Sequence, residues 1–187
     1  MFRLLLVCLF SLPGHLLLAQ PEWNVVSGDI TFEIQNAGIT VDGSIGNLQG
    51  DIRFDASDLT PANLRASVGV KTLETGISAR DHHLMSKKYF WVDQYPRITM
   101  RSVEIRQRSG SSFEGTFELT IRGETRTVTF PFTFQRDDKA GIFDGEFSIN
   151  RLDYGVGGKS LFLGDEVQVS IRVRVVPAQT SLSGNSP

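Results

Sequence analysis

The chain has 187 residues, 19 Lys and Arg against 21 Asp and Glu, a formal net charge of −2, and a single cysteine, Cys8. Such a balance, with no basic run, gives no electrostatic footprint for nucleic acid or for an anionic membrane surface. One thiol excludes an intramolecular disulfide framework.

Residues 1–19, MFRLLLVCLFSLPGHLLLA, carry Arg3, an apolar run from Leu4 to Leu18 and the small Ala19 before a polar start. This is the pattern of a secretory leader; Pro13 and Gly14 interrupt it, and it is too short for a membrane span. Cys8 lies inside the apolar run, not at its end, which argues against a lipid attached to a processed N-terminal cysteine. Without the leader, 18 Lys and Arg stand against 21 Asp and Glu, and the remaining 168 residues contain no cysteine. They fit one domain, expected over 20–177, followed by a polar tail, AQTSLSGNSP, over 178–187.

From Asp29 onward apolar and polar residues alternate with period two, as in strands with one buried face. Ile30, Phe32 and Ile34 share a face; Ile39, Val41 and Ile45 follow the Asn36-Ala37-Gly38 turn. Ile52 with Phe54, and then Leu64, Ala66, Val68 and Val70, mark two more strands. The pattern resumes with Ile98 and Met100, then Phe113, Phe117, Leu119 and Ile121. After the Arg122-Gly123-Glu124 turn, Val128, Phe130, Phe132 and Phe134 share a face; Phe143, Phe147 and Ile149 follow, and Val167 to Val175 close the series. Eight or more antiparallel strands suit a two-sheet sandwich or a closed barrel. The strand lengths and the glycines at 43, 46, 50, 69, 115 and 145 favour the barrel, where closure demands sharp coiling. A barrel of that size either fills with side chains or holds one small ligand.

One segment, Ser78 to Val92, has helical spacing instead. Ser78 and Asp81 fit a capping box, and Leu84, Met85, Tyr89, Trp91 and Val92 fall on one arc before Tyr95-Pro96 ends the element. A short amphipathic helix between strands predicts a lid across one end of the barrel. The adjacent His82 and His83 point about 100° apart on a helix and cannot easily share a metal ion, and no HxxxH or HExxH spacing occurs. Asp81 could orient His83 as a base, but no nucleophile elbow accompanies them. The second irregular stretch, Asn150 to Glu166, contains Gly158-Lys159-Ser160 without the frame of a phosphate-binding loop. It reads as a loop at the barrel mouth, with Arg151 and Asp153 as a candidate ion pair or hydrogen-bonded brace.

Taken together these residues resemble the YceI-like family. The resemblance covers about Trp23 to Val176 and rests first on Arg80, Asp81, His83, Leu84, Ser86, Tyr89, Phe90, Tyr95 and Pro96. Further matches are Leu119-Thr120-Ile121-Arg122-Gly123 with Thr125 and Arg126, and Arg151-x-Asp153-Tyr154-Gly155, where the family often has phenylalanine for the tyrosine. Met85, Lys88, Trp91 and Asn36 depart from the family pattern and make the lid more apolar and less acidic.

The resemblance implies an all-β fold, an eight-stranded antiparallel lipocalin-like barrel with a short helical lid. It also implies a bacterial protein outside the cytoplasm, periplasmic or secreted, whose apolar cavity holds an isoprenoid lipid such as a polyprenyl derivative or a quinone. No catalytic residues and no cofactor come with it. The expected lining from the first strands is Phe32, Ile34, Val68 and Val70, with Leu84 and Phe90 from the lid. Met100, Phe117, Leu119, Phe130, Phe132, Phe147 and Ile149 complete it, while Asp81, His83, Ser86 and Tyr95 are candidates for the head-group region. Two alternatives are an interaction module with a filled barrel and an enzyme acting on a lipid head group through His83 and Asp81. A homodimer is compatible with the sequence, which names no delivery partner.

Overall fold

The structure is a computed structural model and describes residues 21–178. The expected leader, and all of the expected tail except Ala178, lie outside the described residues. Nine strands form one antiparallel sheet that closes on itself: β1 (Glu22–Asn36), β2 (Ile39–Ser44), β3 (Gln49–Asp55), β4 (Asp58–Gly69), β5 (Arg97–Ser109), β6 (Ser112–Ile121), β7 (Glu124–Arg136), β8 (Gly141–Asn150) and β9 (Leu163–Pro177). The architecture is an eight-stave barrel, because β2 and β3 lie end to end along β1 as two halves of one stave. β2 pairs with the far end of β1 (Thr31 opposite Ser44) and β3 with its beginning (Trp23 opposite Ile52). The break at residues 45–48 includes Asn47 with φ of 53°. The seam is β1 against β9, from Trp23 opposite Pro177 to Asn36 opposite Leu163.

Because every connection is antiparallel, the barrel has two distinct ends. The 56–57, 110–111 and 137–140 turns and the start of β1 lie at the lower end. The hairpin turn Ala37-Gly38, the segment 70–96, the turn Arg122-Gly123 and the segment 151–162 lie at the upper end. At both two-residue upper turns the chain has positive φ, 53° and 80° in each case, the geometry that matches the twist of a tight hairpin.

The lower half is filled. Phe54 is wholly buried, with its ring 5.0 to 6.2 Å from those of Phe113, Phe132, Phe134 and Phe143. Trp23 packs edge-on against Phe134 at 5.4 Å and donates its indole N–H to Phe54 O at 2.9 Å, so its one polar atom is satisfied in the core. Gly115 leaves room for the Phe117 ring, which would collide with a β-carbon there.

The upper segment is less helical than its spacing predicts. Helix α1 covers only Ser78–Leu84, and turns continue to Tyr95. Its N-cap is Ile77, with no side-chain capping bond, so the expected Ser78–Asp81 capping box does not form. The Asp81 carboxylate instead accepts from the N–H (2.9 Å) and hydroxyl (2.5 Å) of Thr75. The helix has ended well before Trp91, whose φ is 47°, so the stretch expected to carry the apolar arc on to Val92 is built of turns.

Candidate functional site

Above the aromatic plug the barrel is hollow. A cavity of about 240 Å³ occupies the upper half. Its wall takes Ile30, Phe32 and Ile34 from β1, Val41 from β2, and Ile45 and Leu48 from the break between β2 and β3. β4 and β5 add Ala66, Val68, Ile98 and Met100, and β6 and β8 add Leu119, Ile121, Phe147 and Ile149. β9 contributes Val167, Val169 and Ile171, and the lid closes over them with Leu84, Tyr89 and Phe90. Phe32 lies flat over Gly43, directly opposite on β2, where a β-carbon would collide with its ring. The glycine thus lets a large aromatic residue join the wall without projecting across the space.

Of the residues expected to line a cavity, Phe32, Ile34, Val68, Leu84, Phe90, Met100, Leu119, Phe147 and Ile149 lie on this wall. Phe117, Phe130 and Phe132 face inward too, but they belong to the plug beneath it. Phe117 stacks on Phe130 at 4.8 Å and Phe130 on Phe147 at 4.5 Å, so Phe147 is where plug and cavity meet. Period-two alternation identifies the inward face and says nothing about depth along the barrel axis. Val70 is placed differently again: β4 ends at Gly69, and Val70 is buried in a 3-10 turn away from the wall.

The four head-group candidates stand outside the wall. Asp81 is committed to Thr75, which Arg80 also holds through its Nε (2.6 Å to Oγ1) and Nη2 (2.5 Å to O). Exposed His83 meets Tyr89 edge-on at 5.1 Å, and Ser86 is exposed on the following turn. Tyr95 covers Gly123 and meets Trp91 edge-on at 5.7 Å. The polar residues that do reach the wall are Asn36, Ser67, Thr75, Arg80, Thr99 and Arg151.

Arg151 is 4% exposed and organises the mouth. Its guanidinium donates to Gly164 O (2.7 Å), Val156 O (2.8 Å), Gly158 O (3.0 Å) and Leu163 O (3.3 Å), and pairs with the Asp165 carboxylate at 2.7 Å. The ion pair expected with Asp153 is therefore made with Asp165, because Arg151 turns inward under the loop while Asp153 stays exposed. The bracing role expected of Arg151 is thus present, with loop carbonyls and Asp165 as its partners in place of Asp153.

Arg122 ties the lid down by donating to Lys87 O at 2.8 Å and to Gly155 O, and Gly157 N–H donates to Lys88 O at 3.0 Å. Tyr154 lies beneath, 1% exposed, its hydroxyl without a protein partner, and burial pushes its pKa up. Among the described residues no group of three or more His, Cys, Asp and Glu is arranged to hold a metal ion, and no helix is long and apolar enough to cross a membrane.

This arrangement has recognisable relatives. The chain is 26% identical over 137 residues to a UPF0312 protein of Pseudomonas savastanoi pv. phaseolicola, covering 69% of this chain and 71% of that one. It is 25% identical over 154 residues to protein YceI of Salmonella arizonae, covering 79% and 80%. The crystal structure of Burkholderia cenocepacia BcnA superposes with a TM-score of 0.75 at 22% identity, over 79% of this chain and 95% of that one. A polyisoprenoid binding domain from Saccharophagus degradans superposes with a TM-score of 0.67 at 12% identity, over 86% and 99%. The YceI-like domain model matches residues 23–175, from the Trp23 of the plug to the last buried residue of β9, and the chain belongs to that family.

Proposed function

We propose that the protein is an extracytoplasmic carrier or reservoir for a long apolar isoprenoid lipid, of polyprenyl or quinone type, with its tail in the upper cavity. The observation that carries this reading is the cavity itself, whose wall is almost entirely hydrocarbon from seven of the strands and the lid. Burial of about ten tail carbons, at ~0.8 kcal/mol each, supplies up to ~8 kcal/mol before costs, roughly the free energy of micromolar binding. Tail burial alone therefore holds such a ligand, and the few polar residues at the upper wall leave the head group near solvent. The leader-like residues 1–19 support a location outside the cytoplasm.

Family and structural neighbours point to a binding protein rather than an enzyme. Asp81 spends its carboxylate on Thr75, and His83 is exposed against Tyr89, so the pair does not converge on one substrate atom. A filled barrel acting only as an interaction module is disfavoured by the hollow upper half.

The test is native mass spectrometry of the protein recovered from its host, followed by organic extraction. A stoichiometric prenyl lipid, lost in the Ile34→Asp variant, is the expected result. A protein that stays empty after incubation with polyprenols and quinones overturns the reading.

A further inference from the structure

The exposed large apolar side chains are not scattered. Val26 and Val103 sit at irregularities in the strand pairing on the barrel's flank, whereas Ile39, Ile77, Leu161 and Phe162 all stand at the upper end. Each of the three segments carrying these four also supplies the upper wall of the cavity: Ile39 precedes Val41, Ile77 follows Thr75, and Phe162 precedes Leu163. The segments adjoin one another. Ala37 N–H donates to Phe162 O at 2.7 Å, and Ser44 bridges to Glu74. They follow one another around one side of the upper end, joined at the mouth by the Ala37 bond and lower down by the Ser44 bridge, while the opposite side is tied down by Arg122 and Gly157. Leu161, 98% exposed, and Phe162, 69% exposed, project furthest.

We propose that this arc is a membrane-docking rim: Leu161 and Phe162, flanked by Ile39 and Ile77, enter the interfacial layer of a phospholipid bilayer and bring the cavity mouth against it. Transfer of an apolar ligand between bilayer and cavity rests on the carrier reading; docking does not. A stable protein partner needs roughly 800 Å² of matched surface on each side. A few side chains projecting from loop tips do not offer that, whereas a bilayer accepts them one by one.

Lys159 stands in the rim's own loop, and Lys87 and Lys88 stand on the tied-down side of the same end, with Asp165 already paired with Arg151. Glu74, Asp93 and Asp153 are there as well, so apolar insertion sets most of the affinity and anionic head groups add modestly to it. The net charge of −2 for the whole chain conceals this local grouping.

The experiment is vesicle flotation of the processed protein with phosphatidylcholine vesicles, with and without phosphatidylglycerol, beside the Leu161→Asp/Phe162→Asp variant, with prenyl-lipid binding measured in parallel. Expected is vesicle binding that rises with phosphatidylglycerol, weakens with salt, and falls roughly tenfold or more in the variant. Prenyl-lipid binding in the variant stays intact, which shows that it is folded. Wild-type protein that holds prenyl lipid but ignores both vesicles overturns docking alone; vesicle binding without prenyl-lipid binding overturns the carrier reading alone. Vesicle binding unchanged in the variant overturns the rim, as does a wild-type dimer that the variant abolishes in sedimentation while vesicles remain unbound.

Discussion

The two halves of the barrel are built from the same strands and differ in what those strands put inside. In the lower half, Trp23, Phe54, Phe113, Phe132, Phe134 and Phe143 interlock through edge-to-face, stacked and tilted ring contacts until little space remains. In the upper half the inward positions are mostly aliphatic, Ile30, Ile34, Val68, Val167, Val169 and Ile171 among them, and they line a space instead of filling it. A continuous hydrogen-bonded ladder thus supports both a rigid floor and a hollow, and side-chain volume decides which one a given level becomes.

The largest expected effect separates two phenylalanines. Phe54→Ala removes the hub of the plug and should cost about 3–5 kcal/mol, whereas Phe32→Ala, on the half-buried cavity wall, should cost about 1–2 kcal/mol; urea midpoints compare them. Equal losses would mean that the upper half is packed as tightly as the lower.

An insertion along one strand sharpens the contrast. Val175→Phe, at the wholly buried lower level of β9, should cost about 1–3 kcal/mol by overpacking. Val169→Phe, six residues earlier on the same inward face, should change stability by less than about 1 kcal/mol and abolish prenyl-lipid uptake, because its ring enters open space.

The smallest effect concerns the support under the mouth. Tyr154→Phe removes a buried hydroxyl that has no protein partner, so thermal stability should stay within about 1 kcal/mol or rise. A clear loss would reveal a bonded water that the hydroxyl serves.

Alternation made the inward face of nearly every strand legible, because one slip in register would turn that face to solvent. Phe117, Phe130 and Phe132 were read correctly as inward and yet lie in the plug, since depth depends on how far each strand is staggered against its neighbours. The β1–β9 register that brings Val167, Val169 and Ile171 beside Phe32 joins residues more than 130 positions apart and leaves no local mark. The lid was legible as an irregular apolar segment, but its helical length was overread: the helix stops at Leu84 and turn hydrogen bonds hold the rest, which periodicity alone does not reveal. Arg151 was noticed and given the wrong partner: Asp153 is nearer in the chain, and Asp165 nearer in space.

The seam between β1 and β9 also has a kinetic meaning. Trp23 faces Pro177, and Ala178 N–H donates to Glu22 O at 2.8 Å, so the first strand made is completed by the last. Until β9 is available, one edge of β1 has no ladder partner and waits as an open template for strands of other molecules. The entropy cost of bringing the two together grows only logarithmically with the chain between them, yet it comes before any of the seam's bonds repay it. Barrel closure is therefore the step at which this protein is most exposed to aggregation, and a chaperone that shields β1 would act there.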